Sequence, residues 1–254
     1  MPSRTQNDFN YKILEETGHR PWPLPDEPWI MTQTWHDLLF AHWAVDVEML
    51  RAKVPRALEL DLFEGRAYVG VVPFHMTNVA PRGVPALPWV SAFPELNVRT
   101  YVHVGEKPGV YFFSLDAGNP LAVGAARALF HLPYYTADMS VDVSPNRVKY
   151  ESRRRSDPIA SFRGEYEPIG PGRPPQPGSL DHFLTERYCL YAIDSSSDVH
   201  RLEIHHPPWP LQPAEALFTE NDMAEAAGLR LPAAAPLLHF VKRQDMVAWA
   251  MHRL

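Results

Sequence analysis

Five polar residues alternate along one predicted strand, and their types suit acid–base chemistry. The segment from Phe93 to Val104 alternates between apolar and polar side chains, which predicts a strand with one apolar face and one polar face. The polar face carries Glu95, Asn97, Arg99, Tyr101 and His103. If this face lines the inside of a barrel, Glu95 could transfer a proton while Arg99 holds a carboxylate ligand. The same pattern is also typical of the solvated face of an antiparallel sheet.

The two alternatives for this strand make different predictions about burial. An inward polar face predicts that Glu95, Arg99 and Tyr101 are buried and hydrogen-bonded to one another, because a buried charge without a partner is very costly. A solvated face predicts an ordinary surface pair between Glu95 and Arg99.

A predicted helix at 121–131 supplies two further candidates for the site. Arg127 and His131 are four residues apart, so on a helix they would share a face. A structural role remains an alternative, in which Arg127 forms an ion pair with Asp116, since buried arginines are usually paired.

Tyr134 is the next candidate, at the start of a second alternating strand at 134–143. Alternation places Tyr134 with the polar side of this strand and Tyr135 with the apolar side. Beside an arginine, the Tyr134 hydroxyl could act as an acid or donate a hydrogen bond to an oxyanion. A packed ring with a satisfied hydroxyl is the structural alternative.

Motifs for other kinds of catalysis are absent from the chain. It contains no HExxH, no G-x-S-x-G, no P-loop and no G-x-G-x-x-G. Its single cysteine, Cys189, rules out a zinc ribbon and an internal disulfide. The adjacent His205 and His206 would face opposite sides of a strand and are poor joint ligands. The sequence therefore predicts neither a metal site nor a cofactor.

The elements that must position these residues are mostly short strands. The 27 prolines are spread along the chain, and proline interrupts both helices and central strands. A strand followed by irregular chain is expected at 32–45, and further strands are expected near 58–62, 67–75, 93–104, 110–116, 134–143, 148–154, 189–193, 199–206 and 237–250. Hairpins are expected between 58–62 and 67–75, across the turn 106–109, and across the turn 144–147. Short helices are expected at 46–53, 121–131 and 179–188, and after Thr219 up to Gly228.

The chain divides into an arm and one domain. Residues 1–30 predict an extended arm packed on the body by Trp22 and Trp29. Residues 31–254 are expected to form a single domain, because strands flank both sides of the proline-rich loop at 167–178.

Composition places the protein among ordinary globular chains. Apolar residues make up 45% and charged residues 21%. A net charge of −6 argues against nucleic acid or an anionic membrane as the partner. The chain has no run of 18 apolar residues, so no membrane-spanning helix is expected. The polar N-terminus does not resemble a signal peptide. The single cysteine fits a reducing cytoplasm, so a cytoplasmic location is expected.

The stretch from Asp116 to Tyr135 resembles the signature of acetoacetate decarboxylases. In that family an acidic residue and a helix of small residues lead through an arginine to a proline followed by two lysines. Arg127 and Pro133 fall in the family's places, but Tyr134 and Tyr135 stand where the lysines would be. Because a phenol cannot form an imine, the resemblance implies that Schiff-base decarboxylation is not available to this chain.

Longer phrases make the chain similar to a narrower group, the bacterial YqjF-like family of the acetoacetate-decarboxylase-like superfamily. These phrases lie at 40–55, 63–74, 93–101 and 205–211. The resemblance implies an α+β, mainly antiparallel fold, in which a curved sheet forms a cone or β-barrel around a pocket with a few short helices. It also implies oligomers. Glu95 matches the position of the decarboxylases' catalytic glutamate, which favours the inward face for its strand.

These observations together predict a cytoplasmic protein with a central β pocket for a small organic acid or carbonyl compound. Glu95, Arg99 and Tyr134 are the catalytic candidates for a lysine-independent lyase, isomerase or hydrolase. The other expected pocket residues are Asn97, Tyr101, His103, Arg127 and His131. The alternative is a non-catalytic binding or sensing protein on the same fold, so enzymatic activity is left open. The expected partner is an anionic or carbonyl-bearing small molecule, and a homo-oligomer is possible on the same resemblance.

Overall fold

Strands make up most of the computed structural model, which describes residues 8–87, 90–145 and 147–254. The strands in this part of the chain are β1 (Met31–Val45), β2 (Glu59–Leu60), β3 (Ala67–Pro81), β4 (Phe93–Val104), β5 (Lys107–Ala117), β6 (Tyr134–Val143), β7 (Val148–Arg154), β8 (Ser161–Pro168), β9 (Cys189–Ile193), β10 (Val199–His205), β11 (Gln212–Asn221) and β12 (Leu237–Arg253). The helices are α1 (Val47–Arg51), α2 (Pro120–Phe130), α3 (Leu180–Thr185) and α4 (Met223–Ala226), with a 3-10 turn at Tyr11–Glu15. No helix within the described ranges is both long and apolar enough to span a membrane.

Seven strands close into a ring, in the order β1, β3, β4, β5, β9, β10, β12 and back to β1. Every neighbouring pair is antiparallel except β5 and β9, which run parallel. The strands β6, β7, β8 and β11 form a second sheet, which joins the ring at β5 and at β12. Closure removes the exposed edges that an open sheet of this size would present.

Alternation along β4 sorts its side chains between two environments. Leu96, Val98 and Val102 belong to the largest apolar core, which they share with Tyr150 and Phe162 of the second sheet. The main core therefore lies between the outer face of the ring and the second sheet. The opposite face of β4, which carries the polar residues, points to the interior of the ring.

Local sequence signals set most helix starts. The Asp46 carboxylate accepts a hydrogen bond from the Met49 amide at 2.7 Å and caps α1, as expected. Ser179 caps α3 through the His182 amide at 3.2 Å.

The last short helix differs from its prediction at the start but not at the end. Thr219 lies within β11 and caps no helix, because the strand continues to Asn221. Helix α4 begins after Asp222 and is followed by Gly228, whose φ of +74° suits glycine.

Other boundaries differ from the predictions because long-range pairing decided them. The expected hairpin between 58–62 and 67–75 is wrong in its partner, since β2 pairs with β4 rather than with β3. The strands β8 and β11 were not predicted, and β3 continues to Pro81. The hairpin of β6 and β7 is confirmed, although Asn146 of its turn lies outside the described residues.

Helix α2 ends one residue earlier than predicted, at Phe130. His131 takes a left-handed conformation with φ of +50° and forms the C-cap. Arg127 and His131 therefore do not share a helix face, as the spacing of four had suggested.

The described part of the N-terminal arm packs against β10 and β12. Trp22 Nε1 donates a hydrogen bond to Glu203 on β10 at 2.8 Å. The Arg20 guanidinium donates to the Ile204 carbonyl oxygen at 2.7 Å. The ring of Trp29 lies 5.0 Å from the guanidinium of Arg82, which follows β3.

Candidate functional site

Glu95 is a buried carboxyl group on the inner face of β4. It accepts a hydrogen bond from the Tyr134 hydroxyl at 2.9 Å and a longer one from Asn97 Nδ2 at 3.5 Å. Burial raises the pKa of Glu95 to about 7, although both hydrogen bonds and the charge of Arg99 act in the opposite direction. A carboxyl group with this pKa exists in both protonation states near neutral pH, which suits it to proton transfer.

Arg99 lies on the same inner face and is half-buried. Its Nε donates to Asn97 Oδ1 at 3.1 Å, and its guanidinium lies 5.3 Å from the ring centre of Phe40 and 6.0 Å from that of Phe112. In the described part of the chain, no carboxylate oxygen lies within 4.0 Å of an Arg99 nitrogen, the distance expected of an ion pair. Burial lowers the pKa of this guanidinium, but an arginine in a protein keeps its charge. A cation without a directly paired carboxylate is therefore present inside the ring, and Glu95 acts on it only at longer range.

The polar face of β4 is buried, as the inward alternative predicted, but its side chains form hydrogen bonds with other partners than expected. Glu95 and Tyr101 are 4% and 1% exposed, so this is not a solvated face. The expected direct bonds among Glu95, Arg99 and Tyr101 are wrong. Asn97 connects Glu95 to Arg99, because residues two apart on a strand place their side chains side by side.

Tyr101 pairs instead with His42, a residue of β1 that the sequence did not assign to the site. The Tyr101 hydroxyl and His42 Nε2 are 2.6 Å apart. Burial raises the pKa of Tyr101 to about 12. Burial, followed by the charge of Arg99, holds the pKa of His42 well below its usual range. The sequence repeats a Trp/His pair on β1, at Trp35-His36 and His42-Trp43, but the pattern does not say which histidine faces inward.

Tyr134 and Tyr135 separate as the alternation of β6 predicted. The parallel pairing of β6 with β5 brings Tyr134 next to Leu115, so its hydroxyl reaches Glu95. Burial and the neighbouring carboxyl group raise the pKa of Tyr134 well above its usual range. The ring of Tyr135 instead lies 3.9 Å from the guanidinium of Arg154.

Arg154 is the ion-pair partner of Asp116, in place of Arg127 in the structural alternative. Its Nε and Nη2 donate to the two carboxylate oxygens of Asp116 at 2.7 and 2.8 Å. Both side chains are almost completely buried. The alternative that pairs Arg127 with Asp116 is wrong, because the two parallel hydrogen bonds from Arg154 on β7 already occupy both carboxylate oxygens of Asp116 on β5.

Three of the predicted pocket residues lie apart from the Glu95 carboxyl. His103 is at the far end of β4, 3.1 Å from the Gly105 carbonyl oxygen. Arg127 is exposed on α2 and donates to the backbone oxygen of Tyr134. His131 is also exposed, with its ring 4.9 Å from that of His200. The structure thus brings together Glu95, Asn97, Arg99, Tyr101 and Tyr134, and it adds His42.

The other features of the described residues add nothing to this group of side chains. Among the described residues, no group of three or more His, Cys, Asp or Glu side chains could hold a metal ion. One surface cleft of about 520 Å³ lies on the second sheet near Glu151 and Arg163. Another of about 530 Å³ lies beneath the arm near Trp22 and Glu203. Neither cleft includes a residue of the Glu95 group.

A ring of this topology with a second sheet packed on it is the acetoacetate-decarboxylase-like fold. The acetoacetate decarboxylase of Legionella pneumophila superposes with a TM-score of 0.62 at 13% identity, covering 98% of each chain. An acetoacetate-decarboxylase-like enzyme from Sphingomonas wittichii RW1 gives the same TM-score and identity over 90% of this chain and 94% of that one. The enduracididine biosynthesis enzyme MppR gives 0.60 at 9% identity over 88% of each chain. At these identities the likeness establishes the fold alone.

Sequence comparison defines the family within that fold. The chain belongs to the DUF2071 family, described as "Uncharacterized conserved protein", whose model matches residues 32–245. It is 48% identical to YqjF of Bacillus subtilis (strain 168) over 230 residues. The aligned residues cover 91% of this chain and 95% of YqjF. Both the predicted family and the predicted fold are confirmed.

Proposed function

We propose that this protein binds a small carbonyl-bearing organic acid at Glu95 and Arg99 and catalyses proton transfer on it without forming an imine. The observation that carries the proposal is the Arg99 guanidinium, which faces the ring interior without a carboxylate partner in the described chain. A carboxylate ligand would supply the missing counter-charge and would accept the free η donors of the guanidinium.

Glu95 supports catalysis as well as binding. Its pKa of about 7 allows the carboxyl group to take a proton from one position and return it to another. Tyr134 donates to Oε2 and Asn97 bridges to Arg99, so the carboxyl and guanidinium groups are held in fixed relative positions. Isomerisation, cleavage next to a carbonyl and hydrolysis all need such a positioned proton carrier.

Proteins with the same fold suggest the first ligands to test. Structures of MppR hold pyruvate and the condensation product of pyruvate and imidazole 4-carboxaldehyde. Other neighbours carry the name acetoacetate decarboxylase. Pyruvate and acetoacetate are therefore suitable probes, as each combines a carboxylate with a carbonyl group.

Binding and proton transfer can be measured separately with these probes. Calorimetric titration of pyruvate should show binding to the wild type, and Arg99→Met should weaken it on the order of tenfold or more because a charged hydrogen bond is lost. Arg163→Met is the matched control, because Arg163 is exposed and pairs with Glu151 on the second sheet. Loss of the pyruvate methyl proton signal in D₂O reports proton exchange, which Glu95→Gln should slow by about 100-fold.

The outcomes distinguish the two functional classes. Pyruvate and acetoacetate binding that is unchanged in Arg99→Met would overturn the proposed site. Binding that depends on Arg99, without any proton exchange that depends on Glu95, would instead identify a non-catalytic binding or sensing protein.

A further inference from the structure

The interior of the ring holds buried ring nitrogens that lack hydrogen-bond partners, and they cluster around Phe40. Within the described part of the chain, His42 Nδ1, His239 Nδ1 and Trp209 Nε1 are buried without a partner. The His42 ring stacks on Phe40 at 5.6 Å, and Trp209 meets the same ring edge-on at 5.0 Å. His239 is the cross-strand neighbour of Phe40 on β12. Since buried polar groups are nearly always hydrogen-bonded, this clustering indicates a place for a polar ligand group.

Two of these nitrogens carry protons and therefore need acceptors. Burial keeps the Tyr101 hydroxyl protonated, and its hydrogen-bond partner in the described chain is His42 Nε2. A buried hydroxyl needs an acceptor for its proton, and Nε2 is the acceptor that the described chain offers, so we assign Tyr101 as the donor and place the proton of the neutral imidazole on Nδ1. Trp209 Nε1 can only donate. Together with Arg99, which lies over the same Phe40 ring, the groups at this place favour a ligand rich in oxygen acceptors.

A glycine brings the imidazole and the aliphatic stem of Arg99 close together. Gly70 on β3 lies in register between His42 on β1 and Arg99 on β4. A Cβ atom at Gly70 would lie 3.0 Å from His42 Cδ2 and 3.3 Å from Arg99 Cγ. The Cδ2–Nε2 edge of the imidazole and the Arg99 stem thus occupy the space that a residue at 70 would fill, and both side chains belong to the group around Phe40.

We propose that His42 is a second recognition residue of this site, whose Nδ1–H donates to the carbonyl oxygen of the acid that Arg99 binds. The ligand class is then an oxo acid rather than a simple aliphatic acid, with Trp209 Nε1–H as a further donor to its oxygens. This inference rests on the proposed function, because it needs a carboxylate at Arg99.

Pyruvate and propanoate test the inference, since they share a three-carbon skeleton and differ in the oxo group. The wild type should bind pyruvate about tenfold more tightly, as expected for one buried hydrogen bond. His42→Gln places its amide near the Nε2 position, where it still meets Tyr101, and removes the donor at Nδ1. It should bind both acids equally, at the affinity of propanoate. His42→Asn places its amide near the Nδ1 position and should keep the preference for pyruvate.

A measurement on the wild type covers the case in which a buried variant fails to fold. With ¹⁵N-labelled histidine, pyruvate should shift the resonance of one buried Nδ1–H, and propanoate should not. Equal binding of the two acids by the wild type, or a pyruvate preference that survives in His42→Gln, would overturn the role of His42. In both cases dependence on Arg99 would leave the proposed function standing. If the wild type binds neither pyruvate nor acetoacetate, the proposed function and this assignment both fail.

Discussion

Asp116 on β5 and Glu95 on β4 are buried acids on opposite faces of neighbouring strands. Their different hydrogen-bond partners suit the first to a structural role and the second to proton transfer. Asp116 meets both arms of the Arg154 guanidinium, so its charge is satisfied within the fold. Glu95 has hydrogen bonds from neutral groups but no paired cation. Burial raises the pKa of both carboxyl groups, and for Glu95 it reaches about 7. Because Asp116 is committed to Arg154, Glu95 is the carboxyl group suited to exchange protons.

The raised pKa of Glu95 predicts a pH-dependent difference in stability. Its folded-state pKa exceeds the ordinary 4.5, so the native state holds the proton more tightly, and stability falls as the pH rises from about 4.5 to about 7. Glu95→Gln removes this titration. Relative to the wild type, the variant should gain on the order of 3 kcal/mol in free energy of unfolding between pH 4.5 and pH 8.

Urea melts at several pH values measure this difference directly. Glu151→Gln serves as the control, because Glu151 is exposed on the second sheet. Parallel stability curves for wild type and Glu95→Gln across this pH range would contradict the raised pKa.

Arg99 should be costly for stability, because its partly desolvated charge has no ion-pair partner among the described residues. Arg99→Met retains much of the side-chain length between Phe40 and Phe112 and removes a partly desolvated charge. Its free energy of unfolding at pH 6 should equal or exceed that of the wild type. Arg154→Met, which leaves Asp116 buried without its partner, should lose about 3–5 kcal/mol. Denaturant melts of both variants check the contrast, and a loss of similar size for Arg99→Met would show that Arg99 is structural.

At the scale of elements, the site depends on the pairing of β5 with three strands, β4, β6 and β9. A register shift opposite Val98 and Arg99 places Phe112 across from Arg99, where its ring meets the guanidinium. The end of β5 pairs with β6 and brings Tyr134 to Glu95, while its start pairs with β9 and closes the ring. One strand therefore positions the aromatic support of Arg99 and the hydrogen-bond donor of Glu95.

Two glycines give a matched test of this arrangement. A Cβ atom at Gly109 on β5 would lie 2.8 Å from the backbone oxygen and the sulfur of Cys189 on β9. Gly109→Ala should therefore lose about 1–3 kcal/mol by overpacking. Gly124 lies on an exposed face of α2 with open space around it, so Gly124→Ala should gain about 1 kcal/mol from helix propensity. Thermal melts compare the two, and a neutral Gly109→Ala would contradict the tight contact of β5 with β9.

At the scale of the whole molecule, strands from both sides of the proline-rich loop pair with one another. The strand β8 precedes the loop and pairs with β11, which follows it. The strands β5 and β9 pair across the same loop, as do β1 and β12. The pairing makes the two sides of the loop interdependent, because neither side alone closes the ring.

This pairing predicts the result of cutting the chain within the loop. A protease site inserted at 174–178, where the chain is largely exposed, should be cleaved without separation of the fragments. The two fragments should elute together from a sizing column in the absence of denaturant. Elution as two separately folded species would contradict a single domain.

The distribution of lysines predicts that the chain forms no Schiff base. Lys107 pairs with Glu203, Lys149 with Glu165, and Lys242 with Asp37, all away from Glu95. The Tyr134 phenol at the expected lysine position cannot form an imine. Borohydride treatment with acetoacetate should therefore leave the intact mass unchanged, whereas an acetoacetate decarboxylase treated in parallel serves as the positive control. A stoichiometric adduct on this chain would contradict the prediction.

The sequence by itself determined the strand-rich class, the family, and the alternation that puts Glu95, Asn97, Arg99 and Tyr101 on one face. These follow from local periodicity and from residue identity at fixed spacing, which a linear chain displays directly. Alternation also separated Tyr134 from Tyr135 before any contact was known.

Only the tertiary structure decided which residues meet across strands. In the structure Asp116 forms its ion pair with Arg154 rather than with Arg127. His131 lies at an exposed helix cap, and His42 on β1 contacts Tyr101 on β4. The physical reason is that burial and cross-strand register depend on closure of the whole ring, and no local pattern encodes that closure.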